Sequence, residues 1–314
     1  MSKKQFIKDL EPNMPVESIF VVLEREKALT RNNQAYISLT LADKTGRING
    51  KIWDNVSKFD KAFEKGDVVK ISGVATLFRG LLQIRVDDIK KCREEEIDNS
   101  DFLPVTERDR DALFKRLLNT IESIQDPFLR TLLKNIFSKE KIVKGIKDAP
   151  ASISIHHTYI GGLLEHTLNV TKICETMADI YPEINRDLLI TGALLHDIGK
   201  IDEYTFDRAI ERTDSGRLIG HIAIETTFLS KEIDKIDDFP DELRMELLHL
   251  ILSHHGEYEY GSPKIPQTIE AAALAYADML DSKVESFIEV TGKSKKNWSD
   301  YVNFLGRKIY KKRD

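Results

Sequence analysis

The chain has 314 residues, of which 41% are hydrophobic and 32% are charged, and its formal net charge is −5. This composition excludes a membrane-embedded chain, because no apolar run approaches the ~18 residues of a membrane span. Two cysteines, Cys92 and Cys174, are too few for a disulfide framework and favour a reducing compartment. The first residues lack the apolar stretch of a secretion signal, so we expect a cytoplasmic protein, with two domains of about 100–200 residues each.

Charge is distributed unevenly along the chain. Residues 1–92 carry 17 basic and 12 acidic residues, residues 293–314 carry eight and two, and the stretch between them is acidic. Basic ends could attract a polyanion. Ordinary solubilising charge explains the same counts, and on charge alone it is the better explanation.

The first 92 residues have a β pattern that one helix interrupts. Five segments alternate or are continuously apolar, and a segment with helical spacing, residues 56–66, separates the third from the fourth. In chain order the predicted strands are SIFVVLEREKAL, AYISLTLAD, RINGKIWD, DVVKISGVATLF and LLQIRVDDIKK. The order β-β-β-α-β-β is that of a five-stranded OB barrel. We therefore assign residues 1–92 to an OB-fold nucleic-acid-binding domain.

Residues 93–105 are acidic and mostly aperiodic, which predicts a linker. From residue 106 to residue 314, nearly every segment has apolar residues at i, i+3 and i+4, so we expect a helical domain. Thr106 begins a capping-box pattern, TERD, and Asp126-Pro127 is a second predicted helix start. The predicted fold is a small all-β OB barrel followed by an all-α domain.

Histidines cluster in the second half of the chain. Six of the eight lie between residues 166 and 255, mostly at or within helices that have an apolar face, and an aspartate interrupts the apolar run AAALAYADML. A buried carboxylate must be paired, hydrogen-bonded or bound to a metal, because an isolated buried charge is very costly. The candidate metal ligands are His166, His196, Asp197, His221, His254, His255 and Asp278.

Each candidate ligand also has an ordinary explanation. A lone helical histidine such as His166 or His221 is more often a core or surface residue, and His254-His255 could cap a helix. Four helical segments that present imidazoles, beside a carboxylate in an alanine-rich helix, are harder to attribute to chance. We therefore interpret the set as a metal site.

The ligand types indicate which chemistry such a site would support. Imidazole and carboxylate suit Mn, Fe or Zn, and the absence of cysteine ligands argues against structural zinc. Seven ligands are too many for one catalytic ion and about right for two ions that share a carboxylate. Such a pair generates hydroxide near neutral pH and stabilises both oxygens of an in-line phosphoryl displacement. Lys200 would add positive charge for the phosphate oxygens, although a lysine after a glycine C-cap is equally explained as an exposed residue.

This ordered set, with the motif HDIGK that begins at His196, resembles the binuclear form of the HD phosphohydrolase superfamily over roughly residues 150–290. The resemblance implies a helical domain, divalent metals and phosphoester hydrolysis. It also implies that Asp197 bridges the two ions. The first ion would be held by His166, His196, Asp197 and Asp278, and the second by Asp197, His221, His254 and His255.

Two neighbouring predicted strands, AYISLTL and RINGKIW, alternate apolar residues with polar and aromatic ones. Their outward residues include Tyr36, Arg47, Lys51 and Trp53. This is the strand 2–3 face that OB folds use for oligonucleotides, and aromatics with interleaved cations form a stacking platform for single strands. We expect Phe78 and Arg79 at the rim of the same face, with packing as the better explanation of Phe78.

An OB domain, an acidic linker and a binuclear HD domain together resemble the YhaM-type 3′-to-5′ exoribonucleases of Gram-positive bacteria, over nearly the whole chain and including GGLLEHT and LLHDIGK. The resemblance implies a cytoplasmic, Mn-dependent exonuclease that removes nucleotides from RNA 3′ ends, with single-stranded DNA as a further substrate. Fe, Co or Zn are the alternative ions, and a homo-oligomer is an open option. Three residues before the first motif, His156, His157 and Tyr159, could line the substrate cleft or have a structural role.

Two rival functions remain open. An HD site could hydrolyse nucleotides or cyclic dinucleotides, but the cyclic-dinucleotide class carries Gly-Tyr-Pro soon after the paired histidines, and HHGEYEYGSPKIP departs from that pattern. A mononucleotide hydrolase would have little use for the OB face. A non-catalytic nucleic-acid-binding protein would be favoured by missing ligands, yet every expected position is filled.

Overall fold

The computed structural model describes residues 3, 5–30, 32–98, 101–153, 157–293 and 297–311. The chain forms two compact units. The first holds Met1–Val105 together with Phe206–Ile210, and the second holds Thr106–Thr205 and Glu211–Asp314. The predicted functional boundaries at residues 92 and 105 stay predictions. Within the described residues, no helix is long and apolar enough to cross a membrane.

Five strands of the first unit close into a barrel in the order β1-β2-β3-β5-β4. Their bounds are β1 Pro15–Leu29, β2 Ala35–Asp43, β3 Gly46–Ile52, β4 Val68–Phe78 and β5 Leu81–Lys91. All neighbours are antiparallel except β3 and β5, which run parallel and close the barrel. The predicted strand order is confirmed.

Alternation along the strands fills the barrel. On β3, and on β2 as far as Leu41, buried residues alternate with more exposed ones, as the sequence predicts, whereas Ala42 and Asp43 at the end of β2 are also buried. The interior includes Phe20, Ile37, Leu39, Ile52, Ile71 and Ile84. At Gly73, where the β4–β5 register shifts, an added Cβ would lie 2.1 Å from the carbonyl oxygen of Arg85. Only glycine permits this close approach of the two backbones.

The helix predicted at residues 56–66 is shorter than its apolar spacing suggests. The helix α1 covers only Val56–Phe59. Phe59 and Phe63 are nevertheless both buried in the barrel core. The chain after α1 is instead drawn back to the barrel, where the backbone N–H of Gly66 donates to the carbonyl of Val22 at 2.8 Å.

Part of the predicted linker packs against the barrel. Phe102 is buried in a small cluster with Val21, Leu23 and Val68, and the backbone N–H of Lys44 donates to the carbonyl of Asp101 at 3.0 Å. The acidic residues at the start of this segment form a single 3₁₀ turn, Glu94–Glu96. The segment therefore combines a charged surface with one apolar anchor.

The second unit is helical. Its helices are α2 Arg110–Glu122, α3 Pro127–Phe137, α4 Glu140–Asp148, α5 Gly162–Ile180, α6 Arg186–Leu195, α7 Lys200–Glu203, α8 Asp214–Leu218, α9 His221–Ile233, α10 Asp241–Ser253 and α11 Ile269–Lys293. Two short strands, β6 Tyr204–Thr205 and β7 Glu211–Arg212, form a hairpin that the helical spacing did not predict.

The two predicted helix starts have different outcomes. Asp126 caps α3, since its side chain accepts hydrogen bonds from the backbone N–H groups of Phe128 and Leu129, both at 2.9 Å. The start predicted at Thr106 is wrong, because Asp109 caps α2 and Thr106 instead donates its hydroxyl to the Glu165 carboxylate. A buried partner 59 residues away outweighs the local pattern.

Candidate metal centre and nucleic-acid face

Asp197 lies at the centre of the histidine cluster. Its Oδ2 is 3.4 Å from Nε2 of His166 and 3.5 Å from Nε2 of His196. Its Oδ1 is 3.6 Å from Nε2 of His221 and 3.8 Å from Nε2 of His254. Each carboxylate oxygen therefore faces its own pair of imidazoles. A carboxylate shared between two ion positions needs this arrangement.

Local structure explains why these groups meet. The helix α6 is buried along the whole of Leu188–Leu195, so it ends inside the protein and its C-cap residue, His196, is fully buried. In the turn that follows, an added Cβ on Gly199 would lie 2.4 Å from the carbonyl oxygen of His221. The missing side chain at Gly199 thus lets the start of α9 approach Asp197.

One group of ligand atoms surrounds Oδ2 of Asp197. Nε2 of His166 lies 3.1 Å from Oδ1 of Asp278 and 3.2 Å from Nε2 of His196. At metal–ligand distances of about 2.1 Å, adjacent ligands on one ion lie about 3 Å apart. Ligand atoms of His166, His196 and Asp197 all lie within 4.8 Å of one another, so these three side chains could hold one divalent ion, and Asp278 lies beside His166.

A second group surrounds Oδ1 of Asp197. One nitrogen each of His221, His254 and His255 lie within 4.8 Å of one another. Among the described residues, Asp197 Oδ1, His221 Nε2 and His254 Nε2 are buried without a hydrogen-bond partner. Buried polar atoms are seldom left unpaired, because desolvation costs ~1–3 kcal/mol for each. A second cation would satisfy all three atoms.

The opposite ring nitrogens of these histidines are held by the protein. His196 Nδ1 and His254 Nδ1 lie 2.9 Å and 2.7 Å from the carbonyl oxygens of Ala193 and Ile251, three residues earlier in their own helices. His255 Nδ1 lies 3.0 Å from a further backbone carbonyl oxygen, that of residue 260. A carbonyl can only accept, so each Nδ1 carries the proton and each Nε2 keeps its lone pair for a metal.

Two carboxylates that the sequence analysis missed hold the remaining histidines. His166 Nδ1 lies 2.7 Å from Oδ2 of Asp281, and His221 Nδ1 lies 2.8 Å from Oε2 of Glu203. Asp281 follows Asp278 by three residues on α11, so helical spacing could have indicated it. Glu203 contacts a histidine 18 residues away in another helix, and no local pattern points to it.

The charges of the cluster are strongly coupled. Burial lowers the pKa of His166, but the hydrogen bonds that its ring donates to Asp197, Asp278 and Asp281 outweigh burial and hold that pKa well above its usual range. Burial lowers the pKa of His254 well below its usual range, and the neighbouring histidines lower it further. Before any metal binds, His166 is thus protonated among three carboxylates, whereas His254 is neutral.

Lys200 is buried beside Asp197, with its Nζ 2.6 Å from Oδ2 of that carboxylate. Burial alone would lower the pKa of Lys200, but the charge of Asp197 outweighs it and raises that pKa above its usual value. The lysine is therefore charged. Its predicted role towards phosphate oxygens stays a prediction.

The three predicted cleft residues have different positions. His156 lies outside the described residues. His157 is buried, with Nε2 3.1 Å from Oδ2 of Asp281 and Nδ1 2.7 Å from the hydroxyl of Tyr159. These contacts give His157 a structural link to the carboxylate that holds His166. The predicted role of His156, His157 and Tyr159 in the substrate cleft stays a prediction.

The barrel face carries a stacked aromatic pair. The rings of Tyr36 and Trp53 lie 4.8 Å apart at an interplanar angle of 29°. Lys51 lies 5.1 Å from the Tyr36 ring and donates a 2.7 Å hydrogen bond to the hydroxyl of Ser38. Trp53 is 45% exposed, and the predicted role of this face in nucleic-acid binding stays a prediction.

The strand register places Phe78 and Arg79 at the other end of β3. Because β3 and β5 run parallel, the β4–β5 turn lies beside Arg47, about 20 Å along the strand from Trp53. The expectation that Phe78 packs is wrong, since it is 58% exposed at the hairpin tip, with the Arg79 guanidinium 5.4 Å from its ring. The predicted place of Phe78 and Arg79 at the rim of the nucleic-acid face stays a prediction.

Two family models match the chain. Residues 163–283 match the model described as the HD domain, and residues 20–91 match the model described as the OB-fold nucleic acid binding domain. With the closed five-stranded barrel, these matches confirm the predicted fold class, an OB barrel followed by a helical HD-type domain.

Several solved structures are similar to short parts of the chain. One is a domain of replication protein A from Methanococcus maripaludis, with 30% identity over 28% of this chain and 94% of that chain and a TM-score of 0.25. Another is the second OB-fold domain of replication protein A from the same organism. It has 26% identity over 29% of this chain and 95% of that chain, with a TM-score of 0.24. A third is a mitochondrial single-stranded DNA binding protein of S. cerevisiae, with 15% identity over 26% of this chain and 98% of that chain and a TM-score of 0.23.

The HD match indicates a metal-dependent phosphohydrolase, and the OB match indicates a nucleic-acid-binding domain in the same chain. Clusters of histidine and aspartate that could hold metal lie within the residues matched to the HD domain. Together, the two matched domains support a nucleic-acid-acting HD hydrolase.

Proposed function

We propose that this protein is a Mn-dependent 3′-to-5′ exoribonuclease of the cytoplasm that hydrolyses single-stranded RNA, with single-stranded DNA as a further substrate. One observation carries the proposal: the two oxygens of Asp197 face separate pairs of imidazoles in a chain that also has an OB domain. The 3′-to-5′ polarity and the choice of Mn rest on the resemblance to YhaM-type exoribonucleases.

In this proposal the seven predicted ligands would hold two divalent ions, with Asp197 as the shared ligand. The ions would supply hydroxide and charge stabilisation for phosphodiester hydrolysis. Asp281 and Glu203 orient His166 and His221 through their Nδ1 atoms. Lys200 lies beside Asp197 with a buried positive charge, where it can approach a phosphate oxygen.

The test is incubation of the purified protein with single-stranded RNA labelled at the 5′ end, with and without Mn²⁺. We expect a ladder that shortens from the 3′ end and depends on the metal. Asp197→Asn should abolish it, because the loss of one anionic ligand affects both ion positions, whereas Asp179→Asn, an exposed aspartate on α5, should retain it.

Metal analysis and circular dichroism must accompany these assays. The two-ion proposal is contradicted if Asp197→Asn keeps wild-type turnover. Hydrolysis of cyclic dinucleotides or mononucleotides without RNA cleavage would favour the first rival function. Tight RNA binding with no turnover under any divalent metal would favour the non-catalytic one.

A further inference from the structure

The segment 297–311, which follows α11, forms a compact hairpin. Trp298 pairs with Tyr310, and Val302 pairs with Arg307, in antiparallel bridges. Ser299 donates its backbone N–H to the carbonyl of residue 309 at 2.9 Å, and its hydroxyl accepts the backbone N–H of the same residue at 2.9 Å. The segment is thus held in a defined conformation by its own hydrogen bonds.

The hairpin exposes large aromatic side chains. Trp298 is 55% exposed and Tyr310 is 52% exposed, and their rings lie 5.1 Å apart because the two residues are opposite each other in the antiparallel pair. Tyr301 and Phe304 are also exposed, whereas Leu305 and Ile309 are buried. The segment has two buried apolar residues and four exposed aromatic rings. Such an exposed apolar patch is typical of a binding surface.

A groove of about 430 Å³ separates this hairpin from the second half of α11. Its walls include Val284, Phe287 and Ile288 of α11 and Tyr310 of the hairpin, with Lys283 beside them. Ligand sites have volumes of about 300–1,000 Å³, so the groove is large enough for a nucleobase. Phe287 on one wall and Tyr310 on the other would contact the two faces of a base bound in the groove.

The charge of this surface indicates which kind of molecule the groove would bind. Within the described hairpin, residues 297–311, the sequence has three basic residues and one acidic residue. Arg307, Lys308 and Lys311 are exposed, and none of them forms an ion pair with a carboxylate of the described residues. A protein-docking groove usually has few charges near its centre, whereas aromatic rings interleaved with unpaired cations are typical of single-strand binding.

We propose that the groove between α11 and the 297–311 hairpin is a second binding surface for single-stranded nucleic acid, separate from the barrel face. In the groove, bases stack on Tyr310 and Phe287, and Lys283 pairs with a phosphate. Beside the groove, Trp298, whose ring lies 5.1 Å from that of Tyr310, extends the stacking surface, and the exposed Lys308 pairs with a further phosphate. The proposal requires that the protein binds single strands, and it does not require that the protein cleaves them. A second surface on the helical unit would hold a strand that the metal centre processes.

The experiment uses the full chain in the presence of a chelator, so that cleavage cannot affect the measurement. Affinity for long single-stranded RNA and DNA is measured by fluorescence anisotropy for two double variants, Trp298→Ala with Tyr310→Ala and Lys283→Gln with Lys308→Gln. We expect each to bind about tenfold more weakly or worse, in line with loss of stacking or of phosphate contacts. The control pairs Tyr181→Ala with Lys144→Gln, both exposed in the helical unit.

Photo-crosslinking of wild-type protein to RNA that contains 4-thiouridine provides a test that no variant can disturb. We expect crosslinked peptides from residues 297–311. Wild-type affinity in both double variants together with no such crosslink would overturn the proposal. If the aromatic variant instead changes the molecular mass of the protein in solution while RNA affinity is unchanged, the groove binds a second copy of the chain and the proposal is wrong.

If RNA is never cleaved but the crosslink and the affinity losses appear, the second surface stands and only the proposed exonuclease function fails.

Discussion

Glu225 is a buried carboxyl group beside the metal site, and within the described part of the chain it forms no ion pair. It lies on α9, one turn after His221, and its side chain has no solvent exposure. Its Oε2 accepts the backbone N–H of Gly199 at 3.3 Å, and among the described residues its Oε1 has no hydrogen-bond partner. Burial raises the pKa of Glu225 well above its usual range, and the negative charge of Asp197 raises it further. The Glu225 carboxyl is therefore neutral, and the hydrogen bond that it accepts from Gly199 stabilises the turn formed by the HDIGK motif.

This pKa gives a prediction about stability and pH in the metal-free protein. The folded state binds the Glu225 proton more tightly than the unfolded chain does. The resulting stability is fully present below the unfolded pKa of about 4.3 and is lost as the pH rises through the folded pKa. Glu225→Gln keeps an acceptor for Gly199 without a titrating group. We expect it to be more stable than wild type in alkaline solution, by on the order of 1 kcal/mol.

Thermal unfolding across a pH series, with a chelator present, measures this difference. The advantage of Glu225→Gln should shrink towards acid pH, where wild-type Glu225 is protonated in both states. Glu183→Gln, at an exposed glutamate, serves as the control and should follow wild type throughout. An advantage that is absent at every pH would contradict a neutral, buried Glu225.

At the scale of elements, α11 contributes two carboxylates to one histidine of α5. Asp278 lies 3.1 Å from Nε2 of His166, and Asp281 lies 2.7 Å from its Nδ1. Asp281 is also 3.1 Å from Nε2 of His157, and it accepts a 3.0 Å hydrogen bond from the side-chain amide of Asn169. The two helices are thus linked at the imidazole that faces the first ion position.

Asp281→Asn should weaken metal binding without unfolding the protein. The amide keeps the size of the side chain but removes the charge that orients His166, and loss of such partners typically costs 10–100-fold in metal affinity. Mn²⁺ titration followed by activity should shift by this factor, with kcat largely restored at saturating metal. The control is Asp179→Asn, and unchanged metal affinity in Asp281→Asn would rule out the positioning role.

At the scale of the whole molecule, each unit has its own chemistry. The barrel presents a stacked aromatic pair and cations, and the helical unit presents the metal ligands. The stacked geometry refines what the barrel face can do. Because the Tyr36 ring is stacked on one face of Trp53, we expect the pair to offer a base one stacking surface, with Tyr36 supporting Trp53 on the other side.

Tyr36→Ala with Trp53→Ala should therefore weaken binding of long single-stranded RNA by ~1–3 kcal/mol, the cost of one stacking contact. Arg47→Gln with Lys51→Gln should instead reduce the salt dependence of binding, because fewer counterions are released. Neither pair should change kcat/KM for bis(p-nitrophenyl) phosphate, which is small enough to need only the metal centre.

RNA affinity, its salt slope and small-substrate turnover are measured for both variants. If both double variants keep the wild-type RNA affinity and salt slope, the barrel face does not bind the RNA. A parallel fall in small-substrate turnover would mean that the barrel face supports the structure of the helical unit.

The sequence by itself determined the two fold types and the set of metal-ligand candidates. Alternation at period two identifies the barrel strands β2 and β3, and spacing at i, i+3 and i+4 identifies helices such as α6 and α10, because burial of one face imposes those periods locally. Histidines and aspartates at the ends and on the inner faces of these helices stand out from the apolar residues around them. Candidate metal ligands in such a pattern can be recognised from the sequence alone.

Only the tertiary structure decided how these residues are arranged. Thr106 binds Glu165 rather than capping a helix, Glu203 reaches His221 from a different helix, and the two oxygens of Asp197 divide four imidazoles between them. Apart from the contact between Asp197 and the adjacent His196, each of these contacts joins residues that are distant in the chain. Their geometry depends on how several helices pack together, and local periodicity contains no information about that packing.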